Sequence, residues 1–190
     1  MKENNVRLFT AVGLLSALAY LLMLLNFPIP PFPGFLMIDF SDIPALIAAI
    51  VFGPIAGITV ELLKNVINFI MTGSPTGVPV GHVANFAAGI SFILPIAFIY
   101  QRFQTKKAMP AAILTGVVSM AVIMSILNYF VILPAYTLFL GSPAMSGPEM
   151  RQMITTGILP FNFVKGLVVG TAFYAIFFRL QSWTKKTMAA

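Results

Sequence analysis

Apolar residues run through this chain in long blocks, and the polar positions that interrupt them are few enough to name. Leu8–Phe27 is the first block, and it matches the roughly 20 residues a helix needs to cross a bilayer. Phe40–Met71 is apolar almost throughout but too long for one span, and Gly53-Pro54 interrupts it. Proline lacks the N–H a helix needs and its ring crowds the preceding turn. Two helices, near 41–53 and 55–71, joined by a tight turn are therefore expected. Further blocks predict helices at about 81–102, 108–133 and 158–180. The pattern as a whole predicts an all-α integral membrane protein, with six transmembrane helices in a single membrane domain spanning 1–190.

Composition supports that class. The 190 residues are 59% hydrophobic and only 8% charged, whereas a soluble domain carries roughly a quarter charged residues. A chain like this cannot cover itself with a solvated surface. The first block follows Lys2 and Arg7 as a signal peptide would, but it is longer than the usual h-region and no small-residue cleavage site follows it. It reads as a retained first span. With no cysteine, disulfides, thiolate metal sites and cysteine nucleophiles are excluded.

Charge sets the orientation. The formal charge of +6 would suit nucleic acid, but the basic residues sit at helix ends, which is topology behaviour. Lys2, Arg7, Arg102, Lys106, Lys107, Arg179, Lys185 and Lys186 fall on one side, and the other side has only Arg151. The positive-inside rule makes the first side, and both termini, cytoplasmic. Outside would lie "NFPIPPFPGF" (26–35), "TGSPTGVPVG" (72–81) and a long loop over 134–151.

With helices oriented, each intramembrane polar residue acquires a depth. Asp39, Ser41 and Asp42 open the second helix, and Glu61, Lys64, Asn65 and Asn68 lie on the third. His82 and Asn85 enter on the fourth, Asn128 and Tyr129 leave on the fifth, and Asn162 and Lys165 enter on the sixth. Nearly all fall in the outer half of the membrane, which predicts a pocket open to the outside rather than a polar path through the bundle. Intramembrane ionisable groups normally face an interior or cavity and mark function. Each also has a structural reading. Asp39, Ser41 and Asp42 can cap a helix start, Glu61 and Lys64 can neutralise each other at i,i+3, Lys165 can snorkel, and Asn128 and Asn162 can join helices. His82 reads as interfacial, because no second metal ligand stands at a useful spacing.

No P-loop, catalytic carboxylate pair, metal cluster or nucleophile–base set is present. The chain is not expected to be an enzyme or to hold a metal or cofactor, and any uphill transport must draw energy from a partner or an ion gradient. The first helix differs from the others. It has no charge or amide from Leu8 to Leu25, and Gly13-x-x-x-Ala17 forms a small-xxx-small pair of the kind that permits close helix approach.

Four segments, "IDFSDIPALIAAIVFGPIAGITVELLKNVI", "GHVANFAAGI", "LNYFVILPAY" and "LPFNFVKG", together resemble the riboflavin-specific substrate-binding (S) component of energy-coupling factor (ECF) transporters, in order and over nearly the whole chain. The resemblance implies a six-helix protein of the bacterial, chiefly Gram-positive, plasma membrane that binds riboflavin on the outer side as a transported ligand. Its partners would be a transmembrane coupling protein and two cytoplasmic ATPases. The family's first helix usually carries an alanine-x-x-x-alanine pattern for docking the coupling protein, and Gly13 and Ala17 stand there in this chain. An S component for another vitamin, such as thiamine or biotin, is the alternative, and an integral-membrane enzyme a more distant one.

A flavin explains the polar residues in chemical terms. Its pyrimidine edge alternates carbonyl acceptors with one N–H donor, and an asparagine offers the matching donor and acceptor. Asn128, Asn162 and Lys165 are expected to read that edge, with Phe35, Leu36 and Met37 against the apolar ring faces. Asp39, Lys64, Asn85 and His82 are expected at the ribityl hydroxyls or framing the pocket.

Overall fold

The structure, a computed structural model, describes the backbone of residues 2–141 and 143–188 and the side chains of residues 6–141 and 143–177. It is built almost wholly of helices. They are α1 (Lys2–Leu24), α2 (Asp42–Phe52), α3 (Pro54–Thr72), α4 (Val80–Phe103), α5 (Ala108–Leu127), α6 (Leu133–Leu140), α7 (Gly147–Gln152) and α8 (Leu159–Met188). Among the described residues five helical stretches are long and apolar enough to cross a membrane, and Asp42–Phe52 is a shorter apolar helix.

Helix ends follow from local chemistry. α1 stops at Leu24, short of the expected Phe27, because Pro28, Pro30, Pro31 and Pro33 follow and cannot donate to a helical ladder. That segment instead folds back as a two-residue antiparallel ribbon, β1 (Phe27–Pro28) on β2 (Met37–Ile38), with Phe27 opposite Ile38. α2 and α3 form a hairpin hinged on Gly53, whose φ of 101° is costly for any residue with a side chain. Pro54 opens α3, where its missing N–H is harmless. The hairpin closes tightly: a Cβ on Gly57 would stand 2.5 Å from the Ala49 Cβ and 2.9 Å from the Ala45 carbonyl oxygen.

The expected long loop over 134–151 is mostly helix. Asn128–Ile132 forms a π-helical turn, in which the Leu133 N–H reaches the Asn128 carbonyl. This shift in hydrogen-bond register falls just before Pro134, so the ring meets a ladder already rearranged, and the helix continues to Leu140. The last long stretch begins at Gly147 rather than near 158, passing through a second π turn, Met153–Ile158, into α8. Its start is fixed by a capping box in which Ser146 N–H donates to Glu149 Oε2 at 2.7 Å and the Glu149 N–H returns to the Ser146 hydroxyl at 3.4 Å. The short "SGPE" motif signals that start, and hydrophobic periodicity does not see it.

α4 packs on α5, α5 on α8, and α3 on α1, α2 and α4. The main core runs through them as Leu46, Val60, Phe92, Ile96, Met109, Val117, Met120 and Phe173. α1 stays peripheral. It buries Val12, Ser16 and Ala19 and leaves Phe9, Leu14, Leu18 and Leu21 exposed.

Candidate functional site

The polar residues singled out above converge at one end of the bundle, where the ribbon, the α3–α4 connection and both π turns lie. Asp39, Asn68, His82, Asn85, Asn128, Asn162 and Lys165 line a cavity of 440 Å³, within the range of about 300–1,000 Å³ typical of small-molecule sites. Asn128 and Asn162 stand on one part of its wall, Lys165 and Asp39 beside them, His82 and Asn85 on α4, and Phe35, Leu36 and Met37 on the loop leading into β2. A larger groove of 640 Å³ lies among Pro31, Pro33, Pro143, Met145 and Gln152. It gathers none of the buried amides or ammonium groups, so the smaller cavity is the chemically specific one.

Both asparagines are set by helix geometry. Asn128 opens the first π turn and its Nδ2 donates to the Met124 carbonyl at 2.8 Å. Asn162 follows the second and donates to the Ile158 carbonyl, also at 2.8 Å. π turns occur disproportionately at functional sites. Each amide thus uses one N–H on its own helix and keeps a second N–H and its carbonyl oxygen for a guest. At 6% and 5% exposure neither has bulk water as its partner.

Lys165 does not snorkel. It is 4% exposed, and its Nζ donates to Asp39 Oδ2 at 3.1 Å. Asp39 Oδ1 accepts the Ser41 N–H at 2.8 Å. The ammonium keeps N–H groups to spare, so it can hold Asp39 and still donate into the cavity. Asp39 therefore both aims Lys165 and caps the free Ser41 N–H at the start of α2, while the Ser41 side chain makes no cap.

Lys64 departs from its expected place. It is fully buried and absent from the cavity wall. Its Nζ bonds Asp42 Oδ1 at 2.6 Å and Ser41 Oγ at 2.7 Å, and lies 2.9 Å from Glu61 Oε2. The i,i+3 pairing with Glu61 exists, but the shorter contact comes from Asp42 on another helix, which sequence spacing could not reveal. Lys64 ties α2 to α3 behind the cavity.

The wall also contains residues not among those expected to meet the ligand, including Met23, Asn26, Asn68, Tyr136 and Phe161. Asn68 Oδ1 meets His82 Nε2 at 2.9 Å, and Phe69 stacks edge-on to the His82 ring. Asn68 was legible as a third-helix amide on the outer side. Tyr136 was not, because it sits in a segment read as loop. Phe32 packs edge-on against Phe161, with centroids 5.6 Å apart, and so ties the proline-rich loop to the wall.

The small pair on the first helix stands apart from this site, although Met23 at the end of that helix reaches the wall. Gly13 and Ala17 are exposed, and a Cβ built on Gly13 meets nothing within 4 Å. They lie on the face turned away from the bundle.

Comparison with known proteins fits this arrangement. The family described as "ECF transporter, substrate-specific component" matches residues 7–177. The chain belongs to that family. It is 49% identical over 186 residues to the riboflavin transporter FmnP of Bacillus subtilis, covering 98% of both chains. It is 39% identical to the riboflavin transporter RibU of Staphylococcus aureus, covering 97% of this chain and 95% of that one. A solved structure of the S component of a bacterial ECF transporter superposes with a TM-score of 0.80 at 38% identity, over 95% of this chain and 99% of that one. As a transporter's substrate-specific component, the chain is not an enzyme.

Proposed function

We propose that this ECF substrate-specific component captures riboflavin in the 440 Å³ cavity for uptake across the bacterial plasma membrane. One observation carries the reading: two half-satisfied asparagines and an aimed lysine meet in a single buried wall. The asparagines present the donor–acceptor pair that a flavin pyrimidine edge requires. Lys165 adds a charged donor for the carbonyl-rich side of the ring. Phe35, Leu36 and Met37 from the loop, with Phe161 and Met124 from the bundle, supply apolar surface for the ring faces. Asn85 and His82 remain for the ribityl hydroxyls, with Asp39 framing the edge.

The orientation belongs to the same proposal. Both termini are cytoplasmic and the cavity opens outward, as the lysine and arginine distribution supports. Since the chain carries no nucleotide-binding motif, two cytoplasmic ATPases act through a transmembrane coupling protein, which docks at Gly13 and Ala17.

An absorbance spectrum of the protein purified from riboflavin-fed cells tests the ligand. A bound flavin spectrum, with tight calorimetric titration of riboflavin into stripped protein, is expected. A colourless protein that titrates with thiamine or biotin instead would assign the cavity to another vitamin.

A further inference from the structure

α3 and α4 run antiparallel, and two contacts set their register. One is the Asn68–His82 hydrogen bond. The other lies two turns deeper, where Glu61 packs so closely on Gly89 that a Cβ there would collide with the carboxyl group. Stepping one turn from each contact places Asn65 on α3 opposite Asn85 on α4. Among the described residues, every buried side-chain nitrogen or oxygen without a hydrogen-bond partner falls on this seam. These atoms are both Glu61 carboxyl oxygens, Asn65 Oδ1, Asn85 Oδ1 and His82 Nδ1.

All five are acceptors. The Asn65 amide donates from Nδ2 to the Glu61 backbone carbonyl at 2.9 Å, which leaves its oxygen free. Asn68 Oδ1 can only accept, so in the neutral imidazole the His82 hydrogen sits on Nε2 and Nδ1 keeps its lone pair. At the outer end, Asn85 and His82 line the cavity, where a ligand's hydroxyls can donate to them. At the inner end, Glu61 and Asn65 are 0% and 4% exposed and outside the cavity wall. Among the described residues, no protein N–H or O–H donates to Asn65 Oδ1 or to the Glu61 carboxyl group.

The charges around Glu61 point the same way. Asp39 is matched by Lys165 and Asp42 by Lys64. Glu61 is the third carboxyl group among two ammonium groups. Lys64 reaches it at 2.9 Å, but neither Glu61 oxygen has hydrogen-bond alignment, while Asp42 and Ser41 take the short, aligned bonds. α1, packed on α3, brings no charged side chain from Leu8 to Leu24. On α4 the facing groups are Gly89, the neutral amide of Asn85 and His82 two turns away. Glu61 thus has only a share of a cation that Asp42 holds more closely, and a buried carboxyl group whose charge is incompletely matched is driven towards its neutral form.

We propose that Glu61 is a proton-binding site: it is held as the neutral acid, and its hydroxyl is the donor that the inner end of the α3–α4 seam lacks. The proton balances the five-group cluster, and Lys64 stays committed to Asp42. The proposal does not depend on which ligand the cavity takes.

Infrared spectra of the ligand-free protein in heavy water at neutral pH test it. The wild type is expected to show the carbonyl stretch of a protonated carboxyl group, and Glu61→Gln to lack it. Asp42→Asn removes the partner of Lys64, so Glu61 is expected to ionise in its place and the band to fade. Glu61→Gln is isosteric with the neutral acid and is itself a donor. It is expected to melt near the wild-type temperature and to bind riboflavin as the wild type does. Absence of the band in the wild type, or its survival in Glu61→Gln, overturns the proposal. A Gln variant that fails to fold also counts against a neutral group here, and the wild-type and Asp42→Asn spectra then decide independently.

Discussion

The two halves of this bundle are held together by different physics. Near the cavity, buried positions carry Asp39, Asp42, Glu61, Lys64, Asn128, Asn162 and Lys165. Toward the opposite end, α4, α5 and α8 bury Ile96, Tyr100, Met109, Ile113, Phe173 and Phe177. Tyr100 packs edge-on to Phe177, with centroids 5.1 Å apart. Apolar packing tolerates sliding and substitution if volume is kept. Ion pairs and amides do not, because each partner is fixed by distance and angle. A membrane protein needs only the first kind of half to fold. The members of the second that line the cavity, Asp39, Asn128, Asn162 and Lys165, fit a ligand that must be read atom by atom.

The contrast is broken most strongly by removing one cation. Lys64→Met leaves Asp42 buried without its partner, and breaking a buried pair from one side costs about 3–5 kcal/mol. Phe173→Ala, in the opposite half, is expected to destabilise by a similar amount, about 3–5 kcal/mol, through the cavity it leaves. Thermal unfolding of both purified variants measures this. What separates them is riboflavin titration at a temperature where both remain folded. Phe173→Ala should keep the wild-type Kd, since its ring lies outside the cavity wall. A weakened Kd in that variant would mean that the two halves are one coupled unit.

Smaller losses are expected at the wall itself, and they appear in binding. Lys165→Ala should weaken riboflavin by about 1.5–3 kcal/mol, the usual worth of a hydrogen bond to a charged group. It also strands Asp39, so Lys165→Gln is the cleaner control. Asn128→Ala and Asn162→Ala should each cost less, about 0.5–1.5 kcal/mol. Effects that fall short of additivity are expected, since the three share one ligand edge. Calorimetry showing wild-type affinity in folded Lys165→Ala would remove the lysine from the flavin edge.

How far all this was legible depends on whether the signal was local. The hairpin break at Gly53-Pro54 is a two-residue signal and was readable. The clustering of Asn85, Asn128, Asn162 and Lys165 followed from counting depth along oriented helices, which needs no knowledge of packing. Lys64 was misplaced because its strongest partner, Asp42, stands on the neighbouring helix, and helical spacing shows only Glu61. Helix ends were the weakest point. A π turn before Pro134 and the Ser146–Glu149 capping box extend helices through a stretch that proline and glycine content marks as loop, and so Tyr136 was missed.

The smallest effect on the purified chain, and the largest in the cell, is expected from α1. This helix is peripheral to both halves, giving Met23 to the cavity wall and Val12 and Ala19 to the core. It packs Val12, Ser16 and Ala19 inward, while Gly13 and Ala17 face outward among exposed apolar side chains. If that face docks the coupling protein, its small residues matter because they let backbones approach closely. Ala17→Trp places a bulky ring there and is expected to leave the cavity untouched, since among the described residues of α1 the wall takes only Met23. The purified variant is expected to melt and bind riboflavin as the wild type does. In cells it should lose riboflavin uptake and fail to co-purify with the ATPases. Full uptake would move docking to another helix, and lost binding in a folded variant would make α1 part of the ligand half after all.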